Sequence, residues 1–524
     1  MEFSLPFHEK PWRVETRKLL FFIGMITCAA FSVQIFLTPY ENVFRALFLV
    51  NNAPAGDSSL DISMMGILTP FYDSSMATPS ENCTETIDPA KKMPQKSIKA
   101  MLAEMIPSSN HMKTTWMKMP PNRIKSISAM SRLLLKNLAS SHSMRPKWLS
   151  EQDREILAVK SEIENAPVIT SDKDLYAPIY RNLSTFRRSY ELMEATLKVY
   201  IYKEGEKPFF HDPILEGVYA SEGWFMKQME ENKKFVVEDP TKAHLFYLPF
   251  SSESIRYSSL YDRKTRSKAN FIKLLSDYLD TIKAKYPFWN RTGGADHFFT
   301  ACHDWSPMMT KPFMNQCIRA FCNSDVNDDF VLGKDVALAE TLVLSKSDLL
   351  KDIGGKPPSE RQTLAFFAGN IHGYLRPILL KFWENKDPDM QIYGKMNSTV
   401  TAKMNYIQRM KSSKYCISAK GYEVASPRVV EAIFFECVPV IISDNYVPPF
   451  FEVLDWGSFA VFVSEKDIPN LKEILLSIPE DKYIEMHKRV KKVQQHFLWH
   501  DEPEKYDIFH MTLHSIWYNR VFQV

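Results

Sequence analysis

The sequence predicts an α/β protein built on open parallel sheets, and three observations carry that prediction. From residue 197 onward, short β-prone apolar runs alternate with helical stretches. Between Ser413 and Phe450 the order is strand, loop, helix, strand, which is a βαβ unit. With 524 residues, 45% of them hydrophobic and 13% aromatic, the chain can bury large cores and divide into two or three domains.

Taken in order, the elements begin with a charge-free apolar stretch at 19–37, preceded by Lys10, Arg13, Arg17 and Lys18. That length spans a bilayer. The basic flank places the short tail in the cytosol and the bulk of the chain on the far side, as a retained signal anchor rather than a cleaved signal peptide. Acceptor triplets for N-glycosylation at Asn82, Asn182, Asn290 and Asn397 agree with a lumenal location. Of the seven cysteines, Cys302, Cys317 and Cys322 cluster enough to suggest one bridge there. From Thr38 to about Arg188 the chain is rich in Ser, Met and Lys and punctuated by proline, which reads as a mostly irregular stem with short helices around 124–138 and 151–164. Strands follow at 197–202, 244–250, 297–302 and 363–369, with helices at 269–285 and 376–383 and a helical C-terminal region.

The candidate chemistry falls where such strands end, because ligands of an open parallel sheet sit beyond the carboxyl ends of its strands. Ser426 as N-cap and Pro427 at the first helical position mark a helix start whose unpaired N–H groups suit a phosphate. Arg428 adds a full charge, and Glu431 shares its face three residues on. The pair fits a nucleotide-sugar pocket, with Glu431 accepting ribose hydroxyls, and equally a solvated helical ion pair. In FFAGNIHGYLRP, Arg376 opens a helix after a glycine-bracketed loop, placed to hold a diphosphate or to cap local carbonyls. In GGADHFFTACHDWSP, His303 and Asp304 leave the carboxyl end of a strand, and each can take a proton from a sugar hydroxyl.

Other chemistries are excluded. A net charge of +3 gives no basic stripe for nucleic acid. No P-loop, GxGxxG, GxSxG elbow or paired CxxC occurs. Asp387-Pro388-Asp389 has the DxD form of metal-dependent sugar transferases but sits in a polar turn without an apolar strand to aim it, so no metal is expected. His510 and His514 share a helical face continued by Trp517, a packing stripe.

The segments LKVYIYKEG, YASEGWFM, DPTKAHLFYLPFS, GGADHFFTACHDW, FFAGNIHGYLRP, SPRVVEAIFFECVPVIISDNYVPPFFEVLDW and YDIFHMTLHSIWYNRV together resemble the plant-type exostosin family of glycosyltransferases, over about 197–521. The resemblance implies a GT-B-like fold, two Rossmann-like lobes facing across a cleft. The organisation expected from it is a cytosolic tail at 1–18, an anchor at 19–37, a stem at 38–190, an acceptor-side lobe at 191–335, a nucleotide-sugar lobe at 336–480 and helices at 481–524 packing back on the head. It implies a Golgi type II membrane protein that moves a sugar from a UDP-sugar to a glycan acceptor in cell-wall or matrix polysaccharide synthesis, with inversion and without a metal cofactor. Homo- or hetero-oligomers with other transferases stay open. By motif, Arg376 would neutralise the diphosphate while Ser426, Arg428 and Glu431 line the nucleotide pocket. The base candidates are His303, Asp304 and Glu222, in that order. A reading from another class is an inactive membrane-anchored glycan-binding or scaffold partner of another transferase.

Overall fold

The computed structural model describes residues 120–121, 123–140, 145–258, 269–396 and 399–524. The 19–37 stretch, Asn82 and Asn397 lie outside them; among the described residues no helix is long and apolar enough to cross a membrane.

Two five-stranded parallel sheets form two α/β lobes. The first contains β1 (Val199–Ile201), β2 (Leu245–Tyr247), β3 (His297–Ala301), β4 (Ile318–Phe321) and β5 (Val336–Ala337), in that spatial order. A parallel sheet must be covered on both faces, which is why β2, β3 and β4 are buried end to end. Tyr247 and Phe298 meet Phe225 of the helix Ala220–Glu230, and Phe225 in turn meets Phe509 of the last helix, Ile508–Gln523. On the other face, Phe246 stacks on Phe288 and His297 meets Trp289.

The second sheet contains β6 (Thr363–Ala368), β7 (Met390–Tyr393), β8 (Ser413–Ala419), β9 (Val438–Ile442) and β10 (Val461–Phe462), in the spatial order β10-β9-β8-β6-β7. The order reverses at β6, whose neighbours are β7 and β8. The expected βαβ unit is β8, the helix Pro427–Phe434 and β9, paired in parallel from Tyr415 opposite Val438 to Ala419 opposite Ile442.

Val336 and Ala337 pair with β4 as the last strand of the first sheet. Helices Ile127–Ser140 and Glu151–Glu164 form where short helices are expected, but Met130, Leu134, Ile156, Val159 and Ile163 are core residues. Asp153, in the second of these helices, takes an ion pair from Arg291 and another from Arg520 at 2.8 Å, tying the segment to the first lobe and to the last helix. That last helix is buried on nearly every side, and its polar side chains are buried with partners such as Ser189 for His514 and Asp153 for Arg520.

Two disulfides form among the described residues. Cys302–Cys322 joins the ends of β3 and β4, and Cys416–Cys437 joins β8 to the residue before β9, while Cys317 stays free and buried. The lobes meet in a short antiparallel bridge: Val447 N–H donates to Ser324 O at 3.0 Å and Val326 N–H to Asn445 O at 3.1 Å. Asn323 Nδ2 also donates to Glu423 Oε2 at 3.0 Å.

Candidate functional site

The reversal of strand order at β6 and β8 opens a crevice beyond their carboxyl ends, and the loops that leave these two strands build the site. They touch backbone to backbone. Gly373 has φ +65°, and a Cβ there would lie 1.8 Å from Gly421 O, so no other residue fits the crossing. Arg376 staples the same two loops: Nε and Nη2 donate to Ala419 O at 3.2 and 3.1 Å, and Nη1 donates to Asn370 O at 2.9 Å. Its side chain is 0% exposed, so it holds carbonyls from inside the lobe rather than lying on the cleft surface.

Ser426 caps the helix Pro427–Phe434, its Oγ accepting from Arg428 N–H at 3.1 Å. Arg428 turns back over the end of β6, with Nε and Nη2 donating to Ala368 O at 3.2 and 2.8 Å and the guanidinium 5.3 Å from the Phe367 ring. Burial first, and then the Arg428 charge, hold the Arg376 guanidinium well below its ordinary pKa. Burial and the Arg428 and Lys395 charges likewise lower His372. Cations crowded until they repel favour an anion among them. Glu431 accepts from Tyr406 OH at 2.8 Å, and burial pushes its carboxyl up while Arg428 and Lys403 oppose. Of the residues the sequence nominated, Ser426, Arg428 and Glu431 lie together at the helix that borders this crevice, and Arg376 lies behind it, inside the lobe. The structure adds His372, Lys403 and Tyr406, for which only burial in the fold gives a signal.

On the first lobe, Glu222 lies behind the end of β3. Its Oε2 accepts from Cys302 N–H at 2.8 Å and from the Ser252 hydroxyl, and Ser252 Oγ accepts from His303 N–H at 3.1 Å. Burial raises this carboxyl and these hydrogen bonds oppose the rise. Glu222 therefore fixes the turn that carries His303 and Asp304. His303 Nδ1 accepts from Trp305 N–H at 3.1 Å, so the neutral ring carries its proton on Nε2, and Tyr219 packs 5.0 Å away. Asp304 is half-buried and is the first charged neighbour of both Tyr219 and Glu340. Glu340, which also faces Arg428 and Glu431, connects the two sides. Sequence reading passed over it because the apolar run before it, 336–339, is only four residues long and yields only the two-residue strand β5.

Asp387 and Asp389 hold Lys472 at 2.7 and 2.9 Å, and no cluster of potential metal ligands occurs among the described residues. His514 packs on Phe186 and accepts or donates to Ser189 Oγ at 2.7 Å, while His510 Nδ1 meets Asp507 at 2.9 Å, as packing residues do. Asn182 and Asn290 are both exposed; Asn182 caps a helix by accepting from Thr185 N–H at 3.1 Å. A groove of 220 Å³ lined by Trp148, Pro240, Phe246, Phe288 and Arg291 lies at the amino end of β2, away from this chemistry.

Residues 193–478 match the family described as the Exostosin GT47 domain. A probable glycosyltransferase of Arabidopsis thaliana is 42% identical over 399 residues, covering 74% of this chain and 76% of the relative. A second from the same plant is 43% identical over 366 residues, covering 69% and 76%. A probable glucuronosyltransferase of Oryza sativa subsp. japonica is 26% identical over 354 residues, covering 61% and 79%. The crystal structure of TarM aligns with a TM-score of 0.23 at 12% identity, over 38% of this chain and 51% of that one, too slight a likeness to bear on the fold.

Proposed function

From the premise that this chain belongs to the exostosin GT47 family and is a glycosyltransferase, we propose that it transfers a sugar from a UDP-sugar to a glycan acceptor with inversion and without a metal. The observation that carries this reading is the crowding of Arg376, Arg428, His372 and a capped helix start at the β6/β8 crevice, with Glu431 beside them. The Arg428 charge, the helix N–H groups and a hydrogen bond from neutral His372 would stabilise the negative charge that develops on the leaving diphosphate, with Arg376 acting from behind. Glu431 would accept ribose hydroxyls. Positive charge building on the sugar ring is met by carboxylates on the opposite lobe, and His303 and Asp304 line the side from which an acceptor hydroxyl would approach.

The setting we propose is the Golgi membrane, with the 19–37 stretch as anchor, a lumenal head and a role in cell-wall or matrix polysaccharide synthesis. The name of the rice relative puts UDP-glucuronate among the first donors to try. The test is a screen of the solubilised full-length chain against a panel of UDP-sugars and glycan acceptors. UDP release dependent on one donor and one acceptor class is the expected result. No release from any donor, with UDP failing to bind, would overturn the reading.

A further inference from the structure

Glu340 stands just beyond β5, and its backbone is clamped on both sides. Ser221 Oγ donates to Ala339 O at 2.6 Å and accepts from Thr341 N–H at 3.1 Å, and Trp499 Nε1 donates to Thr341 Oγ1 at 3.0 Å. The side chain is 7% exposed, yet its carboxyl accepts no hydrogen bond among the described residues. The titratable and charged groups that face it come from both lobes: Tyr219 and Asp304 from the first, Arg428, Glu431 and Tyr446 from the second. Burying an acid without hydrogen bonds is costly, and a fold keeps such a group where it is used.

The other candidates are differently engaged. Glu222 is tied to Ser252 and Cys302, and the Nδ1 lone pair of His303 is taken by Trp305 N–H.

We propose that Glu340 is the general base of the transfer, seated between Asp304 and the Arg428 helix where donor and acceptor meet. This rests on the transferase reading above. The acceptor O–H bond breaks and its proton passes to the Glu340 carboxylate. The freed oxygen pair forms the new bond to the anomeric carbon, the bond from that carbon to the phosphate oxygen breaks, and its electron pair leaves on UDP; Glu340 then returns the proton to water. Burial, and the Asp304 and Glu431 charges against the pull of Arg428, hold the carboxyl well above the usual carboxylate range, which makes it a stronger base near neutral pH.

The experiment compares full-length wild type, Glu340→Gln and Glu340→Asp for transfer from the UDP-sugar panel across pH, with UDP affinity measured by calorimetry. Glu340→Gln should lower transfer by about 10²–10⁴-fold at unchanged UDP affinity and abolish the acid limb of the pH–rate profile. Glu340→Asp should keep a residual rate with that limb shifted. Transfer by Glu340→Gln within about threefold of wild type overturns the base while leaving the transferase reading intact. So does a loss of UDP affinity that accounts for the lost rate. If Glu340→Gln fails to fold, an unshifted acid limb in Glu340→Asp overturns the base and a shifted one supports it. A wild type inactive with every donor removes the transferase reading and the base with it.

Discussion

The two lobes are built from the same parts and differ in strand order. In the first sheet the strands lie side by side in sequence order, while in the second the order turns back at β6. A sequential sheet has no crevice of its own at its strand ends, whereas a reversal separates two neighbouring loops and leaves room between them. The second lobe accordingly gathers its cations at that crevice, and the first contributes acids from the ends of β3 and β5. On the proposed reading, position in the sheet, more than residue type, decides which lobe would bind the diphosphate.

The largest effect that would break this comparison is at the loop crossing. Gly373→Ala must push Gly421 away and hold φ +65°, and should cost on the order of 4 kcal/mol in chemical denaturation. Gly217 of the first lobe has φ +98° with nothing within 4 Å of a Cβ, so Gly217→Ala should cost only about 1 kcal/mol. Equal costs would show that the crossing is not a tight point.

Next come the disulfides, with sequence separations of 20 and 21. Each closes a loop of nearly the same length, so Cys302→Ser and Cys416→Ser should each lose roughly 3 kcal/mol. Function should separate them. Cys302→Ser loosens the turn of His303 and Asp304 and should lower transfer without changing UDP affinity.

Glu431→Ala should weaken UDP binding by about 1.5–3 kcal/mol, the worth of a charged hydrogen bond, while Asp304→Ala leaves it unchanged. Calorimetry with UDP reads both, and equal losses would place the nucleotide between the lobes rather than in the second.

A pH effect sharpens the contrast further. Burial, and then the Glu222 charge, push Glu253 up to about 8. Because the folded value lies above the unfolded one of about 4.3, the contribution to stability is full below that lower value and is lost as pH rises through 8. Glu253→Gln should therefore flatten the fall of Tm between pH 5 and pH 9; an unchanged fall would assign it to other groups.

The smallest effect belongs to Asp387 and Asp389. Removing both frees a half-buried lysine and should cost about 1 kcal/mol or less, with transfer unchanged and insensitive to EDTA. Restoration of chelator-treated enzyme by manganese would overturn the metal-free mechanism.

Much of the fold is legible in the sequence where a pattern is long or doubly marked. β9 at Val438–Ile442 falls inside the βαβ unit expected at 413–450, and the helix expected over 269–285 ends at Lys285, because long apolar periods and Ser-Pro starts are local signals. The two-residue strands β5 and β10 carry no such period and are visible only through their pairing.

By itself the sequence determined the α/β class, the βαβ unit at 413–442, the capped helix start with Arg428 and Glu431, and the placing of His303 and Asp304 at a strand end, all consequences of neighbours along the chain. The tertiary structure alone decided what those groups face. Arg376 reads equally as a diphosphate clamp or a carbonyl cap until β6 and β8 are seen to be adjacent, which puts Ala419 O within 3.2 Å of it. Glu340 is an ordinary acid in sequence and becomes a buried one because residues as distant along the chain as Tyr219 and Tyr446, and a second lobe, close over it. Burial and charge are sums over spatial neighbours, and those neighbours are set by packing rather than by sequence distance.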